Sequence, residues 1–132
     1  MVNSKDKLLM EDISKFYNLE NITKIIPITK GESELSLRVL DWFVTNYSKK
    51  HYVCYTLPEK ERTRRFKVYV DYKLKLKAYS KKRFDPFCRW DRIIIPYGDD
   101  TSIQTTLGQL NFFRWALEYK IIDYIEKNLK DI

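Results

Sequence analysis

The chain has 132 residues, a length typical of one domain with a substantial core, and a formal net charge of +7. Its 3 glycines and 4 prolines exclude low-complexity linkers, while 10 tyrosines, 7 phenylalanines and 3 tryptophans make it rich in aromatic residues. An apolar run of roughly 18 residues and a signal peptide are both absent, so we predict a protein that is neither membrane-spanning nor secreted. We expect one domain over residues 1–132, with residues 1–20 as a peripheral helix or arm.

The positive charge is concentrated in the middle of the sequence. Residues 49–92 contain 15 Lys and Arg and 5 Asp and Glu, a net charge of +10, whereas the remainder carries −3. A local basic field of this kind raises the local concentration of polyanions. The distribution indicates a surface that binds an anion, with an ordinary lysine-rich surface as the alternative.

The first third of the chain predicts two helices and a connection. Residues 5–19 have nearly helical apolar spacing, which indicates a short amphipathic helix or an arm that orders against a partner. The β-branched residues around Pro27 indicate an edge strand or an extended connection, because proline cannot donate to an interior ladder. Residues 33–47 predict a helix capped by Ser33, with a core-facing apolar stripe.

The centre of the chain predicts two strands, residues 51–57 and residues 66–79, joined by a polar connection. In the second segment apolar side chains occupy the even positions, and lysine, tyrosine or aspartate the odd ones. This period of two predicts a long strand with a buried face and an outward lysine face. We expect a bulge or bend near Asp71 or Ala78, because the strand would exceed the usual length.

The last third predicts one more strand and a helical end. Residues 92–97 form the predicted third strand, and a G-D-D-T-S turn follows. From Thr105 and Thr106 the pattern is helical, as one long helix or as two with a break near 118–120. The expected fold class is α+β, a small antiparallel sheet of three or four strands with helices packed on one face as a two-layer sandwich.

The sequence lacks the residue sets of common catalytic and metal sites. His51 is the single histidine and stands beside lysines, so a histidine-based nucleophilic unit has no support. Cys54 and Cys88 indicate reduced core thiols, and together with one histidine they cannot complete a structural zinc site. We therefore expect no catalytic residue, no metal ion and no cofactor, and we predict that the protein is not an enzyme.

One enzymatic alternative is a Mg²⁺-dependent nuclease. Asp71 and Lys73 would lie on the same strand face, an arrangement used by nucleases of the restriction-enzyme-like class, and Glu34 and Asp41 would offer further acids. The second acid expected on the neighbouring strand, residues 51–57, is absent. A charge-balancing role for Asp71 is the simpler interpretation.

Basic residues interleaved with aromatic residues indicate nucleic-acid binding. Cationic groups neutralise phosphates, and flat rings stack on bases. Phe84, Phe87 and Trp90 are either such stacking rings or core residues behind a turn. The candidate nucleic-acid-binding residues are Arg62, Arg64, Arg65, Lys67, Tyr69, Lys73, Lys75, Lys77, Tyr79, Lys81, Lys82, Arg83, Arg89 and Arg92.

The aromatic residues of the closing helix allow two interpretations. Phe112, Trp115 and Tyr119 either belong to a broad buried stripe or pack against a second protein or a second copy of the chain. The second interpretation predicts a protein partner or a homo-oligomer through the C-terminal helix.

Three blocks resemble a family of small uncharacterised proteins encoded by nucleocytoplasmic large DNA viruses. They are L-R-V-L-D-W-F-V-T-N-Y-S-K-K at 37–50, Y-K-L-K-L-K-A-Y-S-K-K-R-F-D-P-F-C-R at 72–89 and T-T-L-G-Q-L-N-F-F-R-W-A at 105–116. The resemblance implies a viral protein of the host cytoplasm or nucleus, or of the virion, and it assigns no functional residue. We predict a non-catalytic nucleic-acid-binding protein that contacts phosphates. A virion or complex-assembly protein is the alternative, and the nuclease is the second alternative.

Overall fold

The N-terminal part of the chain is helical. The computed structural model describes residues 8, 11–13, 15–59, 62–88, 92–98 and 101–132, with the backbone alone at 19, 59, 62 and 96–98. Within the predicted helix at 5–19, the described positions from 8 to 16 are helical, and Ile13 is buried. Helix α1 follows at Leu19–Lys30 and ends at Gly31, whose φ of 75° suits a residue without a side chain.

Helix α1 shows that the edge strand or extended connection predicted around Pro27 is wrong. The side chain of Asn18 caps the helix by accepting a hydrogen bond of 2.9 Å from the backbone N–H of Asn21. Ile22, Ile25 and Ile28 recur at helical spacing and are all buried. Burial of these three side chains offsets the backbone hydrogen bond that proline removes from the helix interior.

Helix α2 confirms the second predicted helix and begins slightly later. It is an α-helix over Leu37–Trp42, a π-helix over Phe43–Tyr47 and an α-helical turn over Ser48–Lys50. Ser36, not Ser33, is the N-cap and accepts a hydrogen bond of 3.1 Å from Val39 N–H. A single π-turn inside an α-helix shifts the residues that follow it, so this turn sets where the last turn of α2 points.

A β-hairpin follows α2 directly. Strand β1 (Cys54–Glu59) pairs antiparallel with strand β2 (Arg62–Lys67), and the register joins Cys54 to Lys67 and Glu59 to Arg62. The predicted polar connection therefore contributes to both strands. Phe66 is fully buried while its neighbours Arg65 and Lys67 are exposed, as the alternation of a strand requires.

Helix α3 (Val68–Tyr79) replaces the long strand predicted over 66–79, which is wrong beyond Lys67. Every second one of the even positions, as Val68, Tyr72 and Leu76, is four residues from the next. The alternating pattern therefore also places apolar side chains on one face of a helix. Val68 is buried, and Tyr72 and Leu76 pack on the core. The lysine row does not exist, because successive odd positions lie about 200° apart around a helix.

The second half of the chain adds a short helix, a second hairpin and two closing helices. Helix α4 is Lys81–Phe84, strands β3 and β4 are Arg92–Gly98 and Thr101–Thr106, and helices α5 and α6 are Leu107–Glu118 and Ile121–Lys127. The predicted cap is confirmed at Thr106, which accepts a hydrogen bond of 3.1 Å from Gln109 N–H. Of the two alternatives for the closing segment, the structure shows two helices with a break at Lys120, whose φ is 61°.

The fold class α+β is confirmed, whereas the single sheet of three or four strands is not. The described strands form two separate two-stranded antiparallel sheets, β1–β2 and β3–β4. Strand β4 includes the end of the predicted turn, 101–102, and the predicted cap, 105–106, and its Ile103 and Thr105 are buried. The core of the described residues is mainly aliphatic and includes five fully buried rings, Phe43, Phe66, Phe84, Phe112 and Phe113.

None of the helices in the described part of the chain is long and apolar enough to span a membrane.

Candidate nucleic-acid interface

A groove lies between the end of α2, the β1–β2 hairpin and helix α3. Its first part, about 520 Å³, is lined by Ser48, Lys49, Tyr52, Val53, Cys54, Arg65, Lys67, Tyr69 and Val70. Its second part, about 550 Å³, is lined by Tyr69, Val70, Lys73, Leu74, Leu76 and Lys77. The two parts share Tyr69 and Val70 and thus adjoin. Together they form the cationic groove.

All the charged residues that line the cationic groove are positive. Its lining residues include no aspartate and no glutamate. Within the described part of the chain, no carboxylate forms an ion pair with a cation of the groove. Among the described side chains the positive field is thus not cancelled by an ion pair, and it favours an anionic ligand. The cations are Lys49, Arg65, Lys67, Lys73 and Lys77, and all are exposed.

Strand β2 places two of the cations. Arg65 and Lys67 are two residues apart and therefore share the face opposite buried Phe66. The Arg65 guanidinium also donates through Nη2 to Cys54 Sγ at 3.1 Å, which orients it across the hairpin. The hairpin thus presents both positive groups to the groove from a regular strand.

Helix α3 places two more cations and two exposed apolar side chains. Lys73 and Lys77 are four residues apart and lie on the outer face of the helix. Val70 and Leu74 flank them on the same face, with 53% and 59% of their surface exposed. The outer face of α3 therefore combines ammonium groups with apolar surface.

The end of α2 adds two residues that the sequence did not single out as candidates. The Lys49 ammonium lies 5.5 Å from the centre of the Tyr69 ring, a cation–π contact between α2 and α3. Tyr52 follows in the turn before β1 and is 87% exposed. The sequence offers little sign that these residues bind a ligand, because Lys49 follows a predicted helix and Tyr52 lies within a predicted strand.

The opposite edge of α3 carries a structural cluster. Asp71 Oδ2 accepts a hydrogen bond of 2.6 Å from the Trp115 indole N–H, and Asp71 Oδ1 lies 3.8 Å from Arg64 Nη2. The Arg64 guanidinium and the Lys75 ammonium both lie 5.6 Å from the centre of the Tyr119 ring. Arg64 and Lys75, two of the predicted binding residues, thus join α3 and β2 to the end of α5 and do not line the groove.

The remaining predicted residues are dispersed over the molecule. Tyr79 stacks on Phe84 at 5.5 Å, so its ring belongs to the core side of α3. Phe84 is fully buried, whereas Phe87 is 52% exposed and lines a different depression together with Arg92. Lys81, Lys82 and Arg83 lie on α4, the side chain of Arg62 is not described, and Arg89 and Trp90 lie outside the described residues.

The geometric basis of the nuclease alternative is wrong. Asp71 and Lys73 lie on a helix, where two residues two apart point in nearly opposite directions. Asp71 instead pairs with Arg64 and Trp115. Among the residues that the structure describes, no three His, Cys, Asp or Glu side chains come together as a metal site.

The aromatic residues of the closing helix do not form the exposed surface for a second protein that one interpretation of the sequence predicts. Phe112 is fully buried and Trp115 is 3% exposed, so neither ring is available to a second protein. Tyr119 stacks on Phe66 with ring centres 5.0 Å apart. These rings form a core stripe, as the other interpretation of the helix predicted.

Residues 2–132 match a family of unknown function, DUF7197. The chain belongs to this family. It is also 41% identical over 135 residues to "Uncharacterized protein L507" of Acanthamoeba polyphaga mimivirus, an alignment that covers 97% of this chain and 52% of the relative. The chain thus spans about half the length of this relative. No solved structure matches it. The resemblance to an uncharacterised viral family is confirmed.

Proposed function

We propose that this protein is a non-catalytic nucleic-acid-binding protein that holds the phosphate backbone in the cationic groove. The observation that supports this function is the convergence of five exposed cations from α2, β2 and α3 on one groove without a carboxylate. Lysine and arginine groups that neutralise phosphates release counterions, which supplies affinity without reading the sequence. We expect binding that depends strongly on salt and little on sequence.

The viral family membership gives the proposed function its setting. The mimivirus relative carries no functional description, so the setting adds no residue role. A nucleic-acid ligand in the infected cell's cytoplasm or nucleus, or in the virion, is the partner that this proposal requires.

The proposal is tested by fluorescence anisotropy of labelled DNA and RNA, single- and double-stranded, over a series of salt concentrations. The logarithm of affinity falls by about 0.7 per neutralised phosphate on single strands and about 0.9 on duplexes for each tenfold rise in salt. If all five cations contact phosphates, the slope on single strands is about −3.5. The double variant Lys73→Gln/Lys77→Gln is expected to make that slope shallower by about 1.4.

A matched control separates the groove from the general charge of the protein. Lys24→Gln/Lys130→Gln removes the same charge from exposed lysines that do not line the groove. We expect this control to bind almost as the natural protein does. Absence of binding at low salt, or equal losses in the two double variants, contradicts the proposal. Cleavage of the oligonucleotides in Mg²⁺ contradicts its non-catalytic part.

A further inference from the structure

The cationic groove contains aromatic and apolar surface that phosphate binding alone does not use. Tyr52 is 87% exposed, and Val70 and Leu74 are more than half exposed. Large apolar side chains gathered at one place on a surface mark a binding site more often than isolated ones do. The cations surround this surface, so the ligand must present apolar groups and negative charge together.

Tyr52 lies in a turn whose next residue is hydrogen-bonded to both neighbouring helices. The Val53 N–H donates to Ser48 O at 3.0 Å, and the Val53 carbonyl accepts from Val68 N–H at 3.2 Å. Both hydrogen bonds fix the residue that follows Tyr52 to the neighbouring helices. The ring is thus presented to solvent from an anchored backbone, which lowers the entropy cost of contacting a ligand.

Tyr52 follows the last turn of α2 and adopts the left-handed conformation that commonly ends a helix. Its φ is 50°, in the left-handed region that residues with side chains adopt rarely and at some energetic cost. Among the described residues, no aromatic ring packs against Tyr52, whereas Tyr69 already has the Lys49 ammonium near its ring. Tyr52 is therefore the ring of the groove that is open for stacking.

A single strand matches this surface better than a duplex does. A duplex stacks its bases internally and presents phosphates and sugars outward, so the apolar groups of the groove would gain little from it. A single strand exposes base faces beside its phosphates, and such bases stack on aromatic side chains of basic grooves. The combination of exposed tyrosine, apolar wall and cations is typical of single-strand binding.

We infer that the ligand class of the cationic groove is single-stranded nucleic acid, with a base stacked on Tyr52 and the flanking phosphates held by the groove cations. This inference rests on the proposed function and specifies its ligand. Lys73 and Lys77 stand about 6 Å apart along the axis of α3, and Arg65 and Lys67 about 7 Å apart along β2. These spacings allow neighbouring phosphates of an extended strand to meet successive cations.

The test compares a matched pair of variants at one position. Tyr52→Leu removes the flat ring and keeps apolar bulk, whereas Tyr52→Phe keeps the ring. The ligands are single-stranded DNA, single-stranded RNA, the corresponding duplexes and an abasic strand that has phosphates without bases. Tyr52→Leu is expected to weaken single-strand binding about tenfold with an unchanged salt slope, because no phosphate contact is lost. Tyr52→Phe should bind as the natural protein does. Comparison of the DNA and RNA strands shows which of the two nucleic acids binds more tightly.

The outcomes distinguish this inference from the function on which it rests. Two results together support the inference. Single strands bind more tightly than duplexes, and Tyr52→Leu lowers the affinity for a normal single strand but not for the abasic strand. Equal binding of duplex, single strand and abasic strand overturns the inference. The proposed function still stands in that case if Lys73→Gln/Lys77→Gln makes the dependence of affinity on salt shallower. Lack of binding to every nucleic acid at low salt overturns both.

Discussion

Asp71 is an acidic residue in the strongly basic centre of the sequence, and the sequence allows either a charge-balancing or a metal-binding role for it. In the fold its side chain is 13% exposed and accepts the Trp115 indole proton, with the Arg64 guanidinium 3.8 Å away. A buried indole N–H without an acceptor would lose its hydrogen bond to water without gaining another, which lowers the stability of the folded state. Asp71 therefore supplies an acceptor for Trp115 and neutralises Arg64, a structural role that requires no metal.

Asp71→Ala is expected to lower the free energy of unfolding by about 2 kcal/mol, because it leaves the Trp115 N–H without its hydrogen-bond acceptor. Asp71→Asn should cost less, since the amide oxygen still accepts from the indole. Urea denaturation measures both variants.

A double-mutant cycle with Trp115→Phe isolates the hydrogen bond of Asp71. The coupling between the two positions is expected to be about 1 kcal/mol, as for contacting residues in one network. A coupling near zero would show that the 2.6 Å contact contributes nothing to stability.

Helix α3 is the element on which the binding surface depends. As a helix it directs Lys73 and Lys77 outward with Val70 and Leu74, and it turns Lys75 and Asp71 toward Tyr119 and Trp115. A strand would have placed all its lysines on one face. The same residues thus give a mixed cationic and apolar surface on one side and a structural cluster on the other.

Substitutions at exposed Lys73, in the middle of α3, distinguish a helix from a strand by the order of stability that they produce. Lys73→Ala, Lys73→Val and Lys73→Gly all remove the same charge. In a helix Ala is more stable than Val by roughly 0.6 kcal/mol and than Gly by about 1 kcal/mol. In a strand Val would be more stable than Ala. Urea unfolding of the three variants gives the order, and a more stable Lys73→Val would contradict the helix.

At the scale of the whole molecule, tyrosine hydroxyls join distant segments to α5 and its end. Tyr17 donates to the Leu110 carbonyl, and Tyr55 donates to the Tyr119 carbonyl at 2.7 Å. Burial raises the pKa of Tyr17 and of Tyr55 well above the ordinary value. Burial, with smaller effects of Asp41 and Asp85, raises the pKa of Tyr72 to about 12.

These raised pKa values predict a loss of stability in alkali. The unfolded chain releases tyrosine protons from about pH 10, whereas the folded chain retains them, so the unfolded state binds fewer protons and stability falls as pH rises. For Tyr72 the loss extends from about pH 10 up to its folded pKa of about 12. Unfolding free energies measured across that range should decline less steeply in Tyr72→Phe than in the natural protein. Identical pH profiles for the two proteins would contradict the assignment.

Local chemistry made parts of the fold predictable. The helix over 33–47 and the Thr106 cap follow from spacing and side-chain hydrogen bonding within a few residues. Strand β4 was not predictable, because its threonines also suit a turn and a helix cap. Helix α1 was missed because its internal proline argues against a helix, and only the burial of its isoleucines decides the outcome.

The candidate site was predictable in part. The sequence predicts the basic field over 49–92. It also predicts the binding residues Arg65, Lys67, Tyr69, Lys73 and Lys77, and these five line the cationic groove. Tyr52 and Lys49 were not candidates, since their place in the groove depends on how α2 ends against α3. Arg64, Lys75 and Tyr79 carry the right chemistry and were predicted, yet their contacts turn them toward other residues of the chain.

The sequence by itself determined the charge distribution, the apolar positions and the Thr106 cap of α5, since these depend on residue identity and near neighbours. The period of two between Phe66 and Tyr79 was compatible with both a strand and a helix. Tertiary structure decided between them, because Val68, Tyr72, Leu76 and Tyr79 share one helical face that packs on the core. That packing chose which lysines face the groove, and local periodicity carries no information about it.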